Sequence, residues 1–85
     1  MPEPFCLVPT KTFLIDLRKI PPSLRRRTEA AIEKLKKDPF RGRKLEAVET
    51  GQWRIRIGDY QIRYDVIGND VVLHRIRHRK DIYRE

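Results

Sequence analysis

The stretch Trp53-Arg54-Ile55-Arg56-Ile57-Gly58-Asp59-Tyr60-Gln61-Ile62-Arg63-Tyr64 decides how this chain folds. Apolar or aromatic residues alternate with polar ones on both sides of Gly58-Asp59, which is the signature of two half-buried strands. Gly-Asp suits a two-residue hairpin loop in which glycine takes the positive φ of a type II′ turn. The loop sets the register: Ile57 faces Tyr60, Ile55 faces Ile62 and Trp53 faces Tyr64, all on one side of the sheet. On the other side Arg56 meets Gln61 and Arg54 meets Arg63. Like charges directly across a strand pair destabilise it. A hairpin that nevertheless gathers arginines on one face points to an anionic partner.

Toward the C-terminus, Gly68-Asn69-Asp70 makes a second turn into a last strand from Val71 to about Arg77. A three-residue loop pairs Ile67 with Val71, then sets Val66 against Val72, Tyr64 against His74 and Ile62 against Ile76 on the core side. A two-residue loop would drive the charge of Arg75 into the core beside Ile62, which is costly without a partner. The three-residue register therefore puts Arg54, Arg56, Arg63, Arg75 and Arg77 on one face. Toward the N-terminus, Leu45 to Val48 reads as a short strand, followed by a turn at Glu49-Thr50-Gly51, and Phe40 to Lys44 as a loop. Pro22 to Lys37 reads as a helix with Leu24, Thr28, Ala31, Ile32 and Leu35 at helical spacing, begun by proline and ended at Pro39. Before it, Thr10 is the N-cap of a helix reaching about Ile20, with Phe13, Leu14, Leu17 and Ile20 as its apolar stripe. The short Pro21-Pro22 link predicts an antiparallel helical hairpin. Phe5 to Val8 is a short strand stopped by Pro9. The expected fold is α+β: an antiparallel sheet of about four strands with a two-helix hairpin on one face, in the order β-α-α-β-β-β.

Eighty-five residues make one domain, spanning 1–85, with room for two layers and one modest core. Lys and Arg number 20 against 12 Asp and Glu, a net charge of +8 that favours an anionic partner. No apolar run approaches the ~18 residues of a membrane span, and the N-terminus lacks a signal peptide's basic start and apolar centre. These features imply a cytoplasmic protein without a membrane partner. Cys6 is the sole cysteine, so no internal disulfide forms, and between Phe5 and Leu7 it reads as a buried strand residue. His74 and His78, four apart on a strand, would stand about 13 Å from each other. That is too far for one ion, so no metal site and no cofactor are expected. His74 reads as packed against Tyr64. Arg25-Arg26-Arg27, Lys34, Lys36 and Lys37 cluster on the second helix, either as its solvated side or as phosphate contacts without sequence preference.

The motif WRIRIGDYQIRY, followed by HRIRHRKDIY, resembles the RelE/ParE family of prokaryotic toxins, as do the element order and the Lys44-Leu45 ahead of the hairpin. The resemblance covers nearly the whole chain and lies closer to the RelE branch. It implies a toxin of a type II toxin-antitoxin system that cleaves mRNA at the ribosomal A site and is held inactive by a cognate antitoxin. The partners it implies are therefore antitoxin, ribosome and mRNA. The family's basic catalytic pair falls on Arg54 and Arg56, and its C-terminal arginine and tyrosine fall on Arg79 and Tyr83, with His78 just before. Gln61 stands where the family carries another arginine, which removes one phosphate-binding charge and implies reduced activity. Arg63, Arg75, Arg77, Lys34, Lys36 and Lys37, with Gln61, complete the expected RNA contacts.

The chemistry is consistent with those residue types. Metal-independent RNA cleavage uses the ribose 2′-hydroxyl as nucleophile on the adjacent phosphate. Arginine's planar fork matches the phosphate oxygens, and preorganised charge is often the largest catalytic contribution. Arginine stays protonated and is a poor base, whereas His78 has a suitable intrinsic pKa and Tyr83 could donate a proton or stack on a base. Two further readings fit the basic face: a ParE-like inhibitor of DNA gyrase, and a noncatalytic RNA-binding module.

Overall fold

The computed structural model describes residues 5–46 and 48–80. The elements run β1 (Cys6–Pro9), α1 (Lys11–Lys19), α2 (Pro22–Lys37), a 3-10 turn (Pro39–Arg41), β2 (Arg43–Lys44), β3 (Trp53–Ile57), β4 (Tyr60–Ile67) and β5 (Asp70–His78). The α+β class and the order of elements are as the sequence implies. The sheet has five strands rather than about four, in the order β1-β5-β4-β3-β2. It is mixed, because β1 lies parallel to β5 with Cys6 beside Asp70 and Pro9 beside Leu73. Pro9 is tolerated there because β1 is an edge strand.

The first hairpin has the expected register at all five pairs, from Trp53 with Tyr64 to Ile57 with Tyr60, and Gly58 turns it at φ 59°. The second differs. Ile67 pairs with Asp70 and Val66 with Val71, so the loop is the two-residue Gly68-Asn69. That register would carry Arg75 inward, but a β-bulge intervenes: Tyr64 pairs with Leu73 and Arg63 with Arg75, leaving His74 unpaired between them. One extra residue reverses the alternation of everything after it. Beyond the bulge the expected pairs Ile62 with Ile76 and Gln61 with Arg77 return. Val71 and Leu73, rather than Val72 and His74, therefore fill the core.

Phe13, Ile20, Leu35, Ile57, Ile62, Tyr64, Val71, Leu73 and Ile76 form that core, with Leu7, Leu17, Ile32, Trp53 and Ile55 packed against it. Helix α1 docks on β5, and α2 on β3 and the 3-10 turn. The Thr10 hydroxyl caps α1 by accepting from the Phe13 N–H at 3.1 Å. Extended backbone at Ile20 and Pro21 (ψ 149° and 142°) separates the two helices, which pack on the sheet more than on each other. Three expectations need correction. Leu14 is exposed, because Asp16 occupies the buried side of α1 instead. Cys6 is exposed, because Leu7 is the β1 residue that turns toward the core. The short strand expected at Leu45–Val48 lies instead at Arg43–Lys44. Among the described residues no helix is long and apolar enough to cross a membrane.

Candidate nucleic-acid interface

Strand alternation puts Arg54, Arg56, Gln61 and Arg63 on the sheet face away from the helices, because their neighbours Ile57, Ile62 and Tyr64 are the buried ones. The pairing then produces a row of four arginines: Arg43 beside Arg54, Arg54 beside Arg63 and Arg63 beside Arg75, across β2 to β5. Such a row is unfavourable unless its charges are compensated, and two of the four are. Arg75 Nε lies 2.8 Å from Asp16 Oδ2. Arg63 Nε donates to the Gly51 carbonyl at 2.7 Å, and its Nη2 to that of Thr50 at 3.5 Å. Arg54 and Arg43 make no ion pair among the described residues. Arg43 was not among the residues expected on this face because the sequence strand was placed two residues later. The signal available was the basic Arg41-Gly42-Arg43-Lys44 run itself.

Gln61 acquires a defined role. It is only 9% exposed, and its Oε1 accepts a 3.3 Å bond from Arg54 Nη1. A neutral acceptor at this position fixes the Arg54 fork, where an arginine would repel it. Arg56 is exposed, and Arg77 lies opposite Gln61. Arg79 is at the hairpin tip, its N–H donating to the Asp59 carbonyl at 2.8 Å and its guanidinium 3.9 Å from the Asp59 carboxylate. His78 is not brought to the arginine face. It pairs with Tyr60, on the apolar side of β4, and its ring meets the Tyr60 ring edge-on at 5.0 Å. Tyr83 lies outside the described residues. Of the α2 lysines, Lys34 comes near Arg54 and Arg56 in a shared groove. Lys36 and Lys37 lie in the last turn of the helix, where the Lys36 carbonyl accepts from Phe5.

Around the arginines the loops are pinned. Asp65 accepts from the N–H groups of Gly51 and Gln52, both at 2.8 Å. It also lies 2.8 Å from His74 Nε2, so the bulge has turned His74 onto the polar face rather than against Tyr64. Burial pushes the Asp65 pKa up, but the Gln52 and Gly51 N–H groups and His74 outweigh it and hold the carboxyl below its usual range. On the inner side, the fully buried Tyr64 donates its hydroxyl to the Pro39 carbonyl at 2.7 Å. Burial raises this phenol to about 12, so it remains a donor across the physiological range. A Cβ at Gly42 would overlap the Tyr64 hydroxyl and come within 2.6 Å of the Arg54 carbonyl. The segment before β2 is thereby held against β3.

The family model for the ParE toxin of type II toxin-antitoxin systems (parDE) matches residues 7–83. Toxin RelE3 of Methanocaldococcus jannaschii is 33% identical over 78 residues, covering 86% of this chain and 89% of the relative. This chain is a RelE/ParE-family toxin. Solved RelE-containing structures place its fold in the same family. The RelB-RelE antitoxin-toxin complex from Methanococcus jannaschii aligns at TM-score 0.74 and 30% identity, covering 89% of this chain and 94% of that one. The RelBE2 complex from Mycobacterium tuberculosis aligns at 0.78 and 28%, covering 88% and 98%. The E. coli RelBE complex, at 18% identity and TM-score 0.76 over 87% and 95%, is a likeness of fold. In RelE-family terms, the mixed sheet and its two covering helices are the common framework, and the row of arginines is what this member displays on it.

Proposed function

We propose that this toxin is a metal-independent endoribonuclease that cuts mRNA on the ribosome, at the A site, and so inhibits translation in the cytoplasm. The observation that carries this reading is the Arg54–Arg56 pair. It stands on an open sheet face, with Arg54 oriented by Gln61 and neither arginine paired with a carboxylate among the described residues. In the proposed reaction the 2′-hydroxyl gives up its proton as its oxygen forms a bond to the adjacent phosphorus, and the bond from phosphorus to the 5′-oxygen breaks as that oxygen takes up a proton. The products are a 2′,3′-cyclic phosphate and a 5′-hydroxyl end. The arginine forks bind the non-bridging oxygens as negative charge builds on the phosphorane. Neither arginine is a base, and His78 faces Tyr60. Correct in-line geometry of a ribosome-held mRNA supplies most of the acceleration under this reading. Arg79 and Tyr83 are proposed to approach the same phosphate from the C-terminal end.

The regulating partner is proposed to be a cognate antitoxin, as the RelB-RelE complex of the 30%-identical relative supports. Gln61, in place of the arginine that RelE resemblance implies, favours a second reading as a gyrase inhibitor. A reconstituted translation system separates the two. Codon-phased mRNA cuts with 5′-hydroxyl ends, reduced at least tenfold by Arg54→Ala, are expected. Intact mRNA together with inhibited gyrase supercoiling would remove the ribonuclease reading.

A further inference from the structure

Strand β5 ends at His78, and helical backbone begins at Arg79 and Lys80. The first N–H groups of such a turn have no partner within it and need an acceptor from outside. His78 supplies one: its Nδ1 accepts from the Lys80 N–H at 3.1 Å. The arrangement is that of an N-cap, whose side chain accepts from the backbone just inside the turn. The acceptor here is an imidazole instead of a hydroxyl or carboxylate. Arg79, between the two residues, is tied separately. Its N–H donates to the Asp59 carbonyl at 2.8 Å, and its guanidinium lies 3.9 Å from the Asp59 carboxylate.

The cap sets the state of the ring. A nitrogen that accepts carries no proton, so the neutral ring holds its proton on Nε2. An imidazolium is a donor at both nitrogens, so protonation would set an Nδ1 N–H against that of Lys80. The position of the ring is fixed as well. It is half-buried and opposite Tyr60 in the ladder, and the two rings meet edge-on at 5.0 Å. The charges around it are Arg77, Arg79 and Lys80 on its own segment and, on the hairpin loop, the Asp59 that Arg79 contacts. No carboxylate pairs with the ring itself among the described residues.

We propose that His78 is a positioning residue: its neutral imidazole caps the turn that begins at Arg79 and so fixes the direction in which the Arg79 guanidinium leaves the sheet. The ring acts through Arg79 and not as an acid or base on the phosphate, because the backbone occupies Nδ1 and the ring lies against Tyr60. The inference rests on the ribonuclease reading for the reaction that Arg79 serves.

The test is single-turnover cleavage of ribosome-bound mRNA by the parent, His78→Ala and His78→Asn, between about pH 5 and 8, the range in which histidine ordinarily changes charge. Asparagine is a strong N-cap and does not titrate. His78→Ala should cleave about fivefold more slowly at neutral pH, the factor that an ordinary side-chain cap represents. His78→Asn should stay within about twofold of the parent, since it restores an acceptor, and should lack the parent's additional loss on acidification. In an Arg79→Ala background, His78→Ala should cost less than about a further twofold, because both changes act on one group. A general acid or base would make the asparagine variant as slow as the alanine one. Equal losses in the two variants, no loss in His78→Ala, or the full loss repeated in the Arg79→Ala background overturns the inference. NMR of the free toxin gives a second readout. Protection of the Lys80 amide against hydrogen exchange should fall about fivefold in His78→Ala and be kept in His78→Asn. Because this measurement needs no substrate, a parent that cleaves nothing removes the ribonuclease reading alone. Unchanged Lys80 protection in His78→Ala overturns the cap whatever the cleavage result.

Discussion

At the scale of single residues, Asp65 organises the polar face more than any arginine does. Its carboxylate receives two backbone N–H groups and His74, and through Gly51 it holds the turn whose carbonyl anchors Arg63. Asp65→Ala leaves two part-buried donors without an acceptor, at a cost of about 1–3 kcal/mol each if water cannot reach them. The pH dependence has a definite sign. The folded carboxyl titrates below its ordinary value, near 3.9 when unfolded. The stability it adds is therefore present above that unfolded value and is lost as pH falls through the folded one. Urea melts at acidic and neutral pH should show a flatter acid loss in Asp65→Asn than in the parent. A parallel loss in both proteins would mean that another carboxylate controls acid unfolding. Gln61 belongs to the same scale: the sequence shows a missing arginine, and only the 3.3 Å contact with Arg54 shows what stands in its place.

At the scale of elements, the bulge at His74 is locked by the β1–α1 junction. The Thr10 N–H donates to the Leu73 carbonyl at 3.0 Å, and its hydroxyl to that of His74 at 3.2 Å. Strand β1 ends there, and the remaining edge of β5 is closed by Asp16 of α1, which accepts the Ile76 N–H at 3.0 Å as well as pairing with Arg75. Arg75 is 48% exposed, so the ion pair itself contributes little and the edge hydrogen bond contributes more. Asp16→Ala should then cost about 1–3 kcal/mol, and Asp16→Asn, which keeps an acceptor, less than about 1 kcal/mol. Equal losses in denaturant melts would assign the effect to charge. This geometry also explains what the sequence revealed. The first hairpin was legible because its alternation and loop are local. The second was not, because its two-residue loop is reconciled with an outward Arg75 only by contacts from a segment more than 60 residues away. Strand β2 was misplaced because Arg43-Lys44 has no apolar alternation to find. His78 entered the candidate site through resemblance, although the alternation that turns Ile76 inward turns His78 the same way. The outward placement of Arg54 and Arg56 was legible from alternation alone.

At the scale of the whole molecule, a net charge of +8 on 85 residues works against compactness while favouring an anionic ligand. The opposing contributions can be separated by ionic strength. The two arginine–carboxylate ion pairs described here, Arg75–Asp16 and Arg79–Asp59, are weakened by salt. So is the repulsion among Arg27, Lys34, Arg41, Arg43, Arg54 and Arg56, which line a basic groove between α2 and β3 that no carboxylate lines among the described residues. Repulsion is the larger effect, because the cations outnumber the acids by 20 to 12 and because Asp65 and Asp16 are supported by backbone donors that salt does not remove. Raising sodium chloride from about 0.1 to about 1 M shortens the screening length from about 10 to about 3 Å. The melting temperature of the free toxin should rise over that range, while under the proposed ribonuclease function its affinity for RNA falls steeply. A melting temperature that falls with salt would show that the ion pairs dominate and that the basic groove is not a source of strain in the unbound protein.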